Sequence, residues 1–80
     1  YNMNLDWDIN ESLSVEKIVD LISLDCNKVS FIRLDRSPKR SNLVIQIGLF
    51  DEAKIEQIVE KLTAYNNNLS IQIFSSDIDW

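Results

Sequence analysis

Shifting the 80-residue sequence by 40 positions brings its apolar residues into register without a gap. Met3, Leu5, Trp7 and Ile9 fall on Leu43, Ile45, Ile47 and Leu49. Val15, Ile18, Val19 and Ile22 fall on Ile55, Ile58, Val59 and Leu62, and Val29 and Phe31 fall on Leu69 and Ile71. Identities are few, Glu16 with Glu56 and Ser30 with Ser70 among them. The shift constrains burial rather than ancestry, because each half must present the same faces to one core. Eighty residues are too few for two independent cores, so the halves share one.

The local pattern in each half is strand, helix, strand. Met3 to Ile9 alternate with Asn4, Asp6 and Asp8, the period of a strand with one buried face. Asn10, Glu11 and Ser12 are turn residues, and Ser14 suits a helix N-cap. Val15, Ile18, Val19 and Ile22 form a helical stripe that closes at Asp25 to Lys28. Val29 to Asp35 reads as a second strand and Arg36 to Asn42 as a turn around Pro38. Leu43 to Leu49 alternate again, Asp51 suits a second N-cap, and Ile55 to Leu62 repeat the stripe. Asn66 to Asn68 suit a left-handed helix exit, Leu69 to Ile73 make a fourth strand, and Ser75 to Trp80 form a tail. Two interleaved β-α-β units predict an α+β, ferredoxin-like βαββαβ sandwich. The expected sheet is antiparallel, order 4-1-3-2, with both helices on one face. A strand that begins by the second residue leads us to expect one domain, 1–80, excised from a larger protein.

Strict alternation assigns Leu5, Trp7, Ile9, Val29, Phe31, Ile45, Ile47, Leu69, Ile71 and Ile73 to the helix side. It leaves Ile32, Leu34 and Val44 clustered on the other face among Asn4, Asp6, Asp8, Ser30, Gln46, Gly48 and Gln72, with Phe74 on the far edge strand. A contiguous apolar patch on a small domain marks an interface, so Ile32, Leu34, Val44 and Phe74 are the expected contact residues. The plainer reading is that scattered surface aliphatics are ordinary on a sheet.

Charge is unevenly placed. Net charge is −5, yet residues 33 to 40 carry +3 through Arg33, Arg36, Lys39 and Arg40 against Asp35, leaving −8 elsewhere. The hairpin cations Arg36, Lys39 and Arg40 suit anionic lipid headgroups or an acidic partner. They suit equally a solvated turn that discourages edge pairing. An acidic chain does not fit a nucleic-acid groove. No His is present and Cys26 is the sole cysteine, so Ser-His-Asp and Cys-His pairs, a disulfide framework and a standard zinc cluster are all excluded. Cys26 lies at a helix exit, where the helix dipole disfavours a thiolate. Gly48, the only glycine, sits inside a strand pattern and suits a bulge or a close backbone approach. Asp6 and Asp8 could approach Asp77 and Asp79 around a cation, or simply wet the outer face. No catalytic residue, cofactor or metal is expected.

The βαββαβ order and the length resemble ACT-like regulatory domains. The run Val29-Ser30-Phe31-Ile32-Arg33-Leu34-Asp35-Arg36, a short hairpin and an alternating strand resemble the cytoplasmic C-terminal domain of MgtC/SapB-type membrane proteins. The resemblance implies a regulatory tail on the cytoplasmic side of an inner membrane, with the basic hairpin close to the membrane surface. ACT domains that bind amino acids usually carry a glycine after the first strand, where this chain has Asn10, Glu11 and Ser12.

The expected function is therefore a non-catalytic regulatory or oligomerisation domain. Its expected partner is a second copy in a homodimer, or other domains of the parent protein. The alternative is a small-ligand sensor of amino-acid type, with Asn10, Glu11 and Ser12 at its pocket.

Overall fold

A computed structural model describes residues 1–75 of the chain. The elements run β1 (Asn2–Asp8), α1 (Val15–Ser23), β2 (Cys26–Arg36), β3 (Arg40–Leu49), α2 (Lys54–Tyr65) and β4 (Ser70–Phe74). The four strands form one antiparallel sheet in the order β2-β3-β1-β4, which read from the other edge is 4-1-3-2. The fold is the expected α+β, ferredoxin-like sandwich.

Period-two alternation buries Met3, Leu5 and Trp7 of β1 and Leu43, Ile45 and Ile47 of β3 on one face of the sheet. The helical stripes supply Ile18 and Ile22 from α1 and Ile58 and Leu62 from α2 to the same cluster. Full burial of such side chains stabilises by roughly 1.5–3 kcal/mol each before chain entropy is charged against it. Ser14 caps α1 as its sequence position suggests, accepting from the Lys17 backbone N–H at 3.3 Å.

The 40-residue shift is visible in the sheet. Asn4 pairs with Val44, its own counterpart, and the pairs Met3–Ile45 and Leu5–Leu43 exchange under the shift. The pseudo-twofold relation therefore passes through the centre of the β1–β3 ladder. Outward from it, Leu5–Ile71 and Asp6–Ser70 match Ile45–Phe31 and Gln46–Ser30, whereas Met3–Ile73 has no shifted counterpart, because β2 departs from the repeat beyond Phe31.

That departure has a local cause. Two β-bulges insert Asn27 and Ile32 as extra residues in β2. Phe31 stands opposite Ile45, but Arg33 rather than Ile32 stands opposite Val44, and every later residue has changed face. Leu34 thus lies opposite Leu43 and packs against the core, while Arg33 and Asp35 take the open face. The sequence expectation for Leu34 is corrected: a one-residue insertion moved it from the open side to the helix side. Phe31 keeps its helix-side register yet is 63% exposed, at the margin that the helices do not reach.

The first bulge explains Gly48. A Cβ on Gly48 would collide with Asn27 Oδ1, so the glycine permits a close approach. Two cap expectations change. Asp51 accepts from the Ala53 N–H at 3.0 Å in a turn before α2, whose N-cap position is Ala53. Asn66 leaves α2 in extended conformation with φ −157°, and no described non-glycine residue has positive φ.

Candidate functional site

The open face is more polar than strict alternation suggests. Register places Asn2, Asn4, Asp6 and Asp8 of β1 beside Arg40, Asn42, Val44 and Gln46 of β3 and Ser70, Gln72 and Phe74 of β4. Side-chain amides link three strands: Asn42 Nδ2 donates to Asn4 Oδ1 at 2.6 Å, and Asn4 Nδ2 donates to Gln72 Oε1 at 3.4 Å. Arg40 pairs with Asp6 at 3.1 Å and Arg33 with Asp35 at 2.8 Å. Such exposed pairs contribute about 0–1 kcal/mol each.

The four expected contact residues therefore do not form one patch. Val44 is half-buried in the middle of the open face, Phe74 lies opposite Asn2 on the β4 edge, and Leu34 belongs to the core side. Ile32, in its bulge, is 50% exposed. Its exposed neighbour is Phe31, which alternation had assigned to the core. Nothing in the residues 29–35 marks an insertion, so the sequence pattern could not reveal this pair. Leu24, 81% exposed after α1, and Phe50, 73% exposed after β3, are also large apolar side chains in water. The pairing of Cys26 with Leu49 brings both to one end of the sheet.

Among the described residues β2 is an edge strand, bonded to β3 alone. Its outer side presents backbone groups to any strand that can align with them. Beyond Arg36 the chain turns at Ser37, whose backbone N–H donates to Arg40 O at 2.8 Å and whose hydroxyl accepts from Arg40 N–H at 3.0 Å. Of the three hairpin cations, Arg40 is neutralised by Asp6, whereas Arg36 and Lys39 have no ion pair among the described residues. A shallow depression of about 270 Å³ beneath the hairpin is lined by Arg36 and Arg40 but also by Asp6 and Asp35, so its charges cancel.

The loop Asn10, Glu11, Ser12 is held from across the domain. Asn66 Nδ2 and Asn68 Nδ2 each donate to one oxygen of Glu11 at 2.9 Å. The bond from Asn66, then that from Asn68, keep the Glu11 carboxyl below its ordinary value. Asn10 N–H donates to Asp8 Oδ1 at 2.8 Å, and Ser12 is exposed.

Cys26 is buried, and burial pushes its thiol up, with the neighbouring Asp25 carboxylate adding to the effect and Lys61 opposing it. Among the described residues no group of three His, Cys, Asp or Glu is placed to hold a metal ion, and no helix is long and apolar enough to cross a membrane. Asp77 and Asp79 lie outside the described residues. No protein-family model matches the chain, and no curated protein matches it.

Proposed function

We propose that this chain is a non-catalytic regulatory or assembly domain that works by association through its β2 edge. The observation that carries the reading is the adjacent pair Phe31 and Ile32, 63% and 50% exposed, on a strand with one neighbour among the described residues. Removing large apolar side chains from water favours association, and an unpaired strand edge supplies the backbone bonds that orient it. Regulation then means a difference in interface free energy between two states of the parent protein. The resemblance to ACT-like domains and to the cytoplasmic tail of MgtC/SapB-type membrane proteins supports this role and the proposal of a membrane transport protein as the parent.

The ligand-sensing alternative would use Asn10, Glu11 and Ser12. Both Glu11 oxygens already accept from Asn66 and Asn68, so that loop offers a ligand less than the β2 edge offers a strand.

Sedimentation velocity across the micromolar range, with wild type and Phe31→Asp, tests the proposal. Association that weakens in Phe31→Asp, with circular dichroism unchanged, supports it. A wild-type chain that stays monomeric and also ignores the remaining domains of its parent protein overturns it.

A further inference from the structure

β2 and its hairpin are basic in an acidic chain. Residues 28 to 40 hold five of the 8 basic residues and one of the 13 acids, so they carry +4 and the remainder −9. Lys28, Arg36 and Lys39 are exposed and have no ion pair among the described residues. Arg33 meets Asp35 of its own strand, and Arg40 on β3 meets Asp6. The elements packed against β2 do not cancel this charge. β3 has no charged residue but Arg40, and α1 brings Glu16, Lys17 and Asp20, one net negative charge. Asp25, which leads into β2, is paired with Lys61.

The register sorts the side chains of this edge onto two sides. On the open side β2 presents Lys28, Ser30 and, past the bulge, Arg33; on the helix side it presents Val29 and Phe31. Lys28 stands opposite Gly48, so no β3 side chain covers it. Val29 is half-buried and Phe31 exposed. A strand added to an edge shares its sides with the strand it joins, residue opposite residue. A segment laid along Lys28 to Phe31 therefore sets alternate side chains against cations and the others against apolar surface.

We propose, building on the association reading above, that β2 takes up an extended acidic segment from outside this domain, one in which acidic and apolar side chains alternate. Its backbone bonds to the free edge, and its alternate side chains give the specificity. Its acids lie opposite Lys28 and Ser30, the second within diagonal reach of Arg33. Its apolar side chains lie opposite Val29 and Phe31 and remove both from water. Arg36 and Lys39 extend the positive field beyond the bulge and draw the segment to this edge of an otherwise negative molecule.

Charge selects this occupant over a second copy, which would meet the edge with the same sign; lysine on an edge strand opposes pairing with its own kind and admits a segment of opposite charge. The apolar row selects a polypeptide over a polyanion, because a phosphate backbone would satisfy the cations and leave Val29 and Phe31 in water. The bulges at Asn27 and Ile32 bracket Lys28 to Phe31 and limit the ladder to a short segment. One occupant thereby accounts for the exposed Phe31, for Lys28, Arg36 and Lys39 without ion pairs, and for the excess of acid elsewhere in the chain.

The test uses a fluorescently labelled peptide, Asp-Val-Asp-Val-Asp-Val-Asp, blocked at both ends, and reads its anisotropy on the whole chain. This peptide should bind, and its counterpart with lysine for every aspartate should not. A block peptide of the same composition, Asp-Asp-Asp-Asp-Val-Val-Val, should bind about fivefold more weakly, since its acids and valines cannot take opposite sides. Lys28→Glu should raise the Kd about fivefold, and Phe31→Asp should raise it too. Both residues are exposed, and circular dichroism checks that the variants fold. Amide hydrogen exchange should slow at Val29 to Phe31 and not at Ile71 to Ile73 on the opposite edge. No binding at millimolar peptide, in a chain whose association with its parent's domains still needs Phe31, overturns the acidic segment and leaves the association reading standing. No binding and no association that needs Phe31 overturns both. Peptide binding that Lys28→Glu leaves unchanged overturns the β2 site. Self-association that the peptide does not displace overturns the inference and assigns the edge to a second copy. Binding to phosphatidylglycerol vesicles without binding of the peptide overturns it as well, and assigns the edge to a lipid surface.

Discussion

Leu34 stands opposite Leu43 across the β2–β3 ladder, on the side that the helices cover. Its counterpart under the 40-residue shift, Phe74, stands opposite Asn2 on the open side. The two positions would be equivalent without Ile32, the extra residue that turns the end of β2 over. Leu34 is therefore a packing residue, half-buried against the core. Leu34→Ala should lower stability by about 1–2 kcal/mol, less than a fully buried leucine, and Leu34→Asp by more. Val44→Ala, on the open side, should cost under about 1 kcal/mol. Urea denaturation of the variants measures this order; equal losses at 34 and 44 would contradict the bulged register.

The sequence carries the element order, the helical stripes and the core of β1 and β3, because each rests on periodicity repeated over many residues. It does not carry the bulges, because an inserted Ile32 among Phe31, Arg33 and Leu34 keeps every local preference for strand intact. Gly48 was the one sign of irregularity. Its role predicts that Gly48→Ala costs about 1 kcal/mol, since the new methyl meets only the movable carboxamide of Asn27. In an Asn27→Ala background the cost should largely vanish. Thermal unfolding of the four proteins closes this double-mutant cycle; a cost unchanged by Asn27→Ala would show that the backbone, not Asn27, excludes the methyl.

Asn66 and Asn68 illustrate the same limit for polar contacts. Their positions in sequence suggest a helix exit, but their amides reach Glu11 more than fifty residues away, a partner that no local pattern discloses. Those bonds favour the ionised carboxylate, so the folded chain holds fewer protons here than the unfolded chain just below the ordinary glutamate range of about pH 4.3. The contribution is present above that range and lost as pH falls through the lowered folded value. Glu11→Gln should remove this part of the acid dependence and lower stability at neutral pH, because an amide presents one acceptor where the carboxylate presents two. Denaturant midpoints measured from pH 7 to pH 3 will show a flatter acid limb in the variant; parallel curves would count against the assignment.

Burial gives Cys26 the opposite sign. Its thiol is held protonated above its ordinary range, so the related stability is intact at neutral pH and is lost as pH rises through the raised folded value. At neutral pH the folded chain should react slowly with a disulfide-exchange reagent, and the rate should follow the fraction unfolded as urea is added. Rapid reaction without denaturant, at the speed of a free thiol, would mean that this corner of the sheet opens readily.

Asp25 lies beside that thiol, nearly buried at 9% exposure, and its Oδ2 is 2.7 Å from Lys61 Nζ. The lysine is the more exposed partner, so the pair joins the start of β2 to α2 at the margin of the core. Removing one member of such a pair costs more than the pair is worth, because the other charge stays in a poorly solvated place. Lys61→Met should therefore destabilise by about 1–3 kcal/mol, while Asp25→Asn combined with Lys61→Met should recover part of that loss. The fully buried pairs behind that principle set an upper bound, since Lys61 retains contact with water. Salt gives a second measurement: the wild-type pair should lose little stability in high salt, being partly screened from solvent already. If Lys61→Met were neutral and the double variant no more stable than the single, Asp25 would owe its place to backbone geometry at the end of α1 rather than to its ion pair.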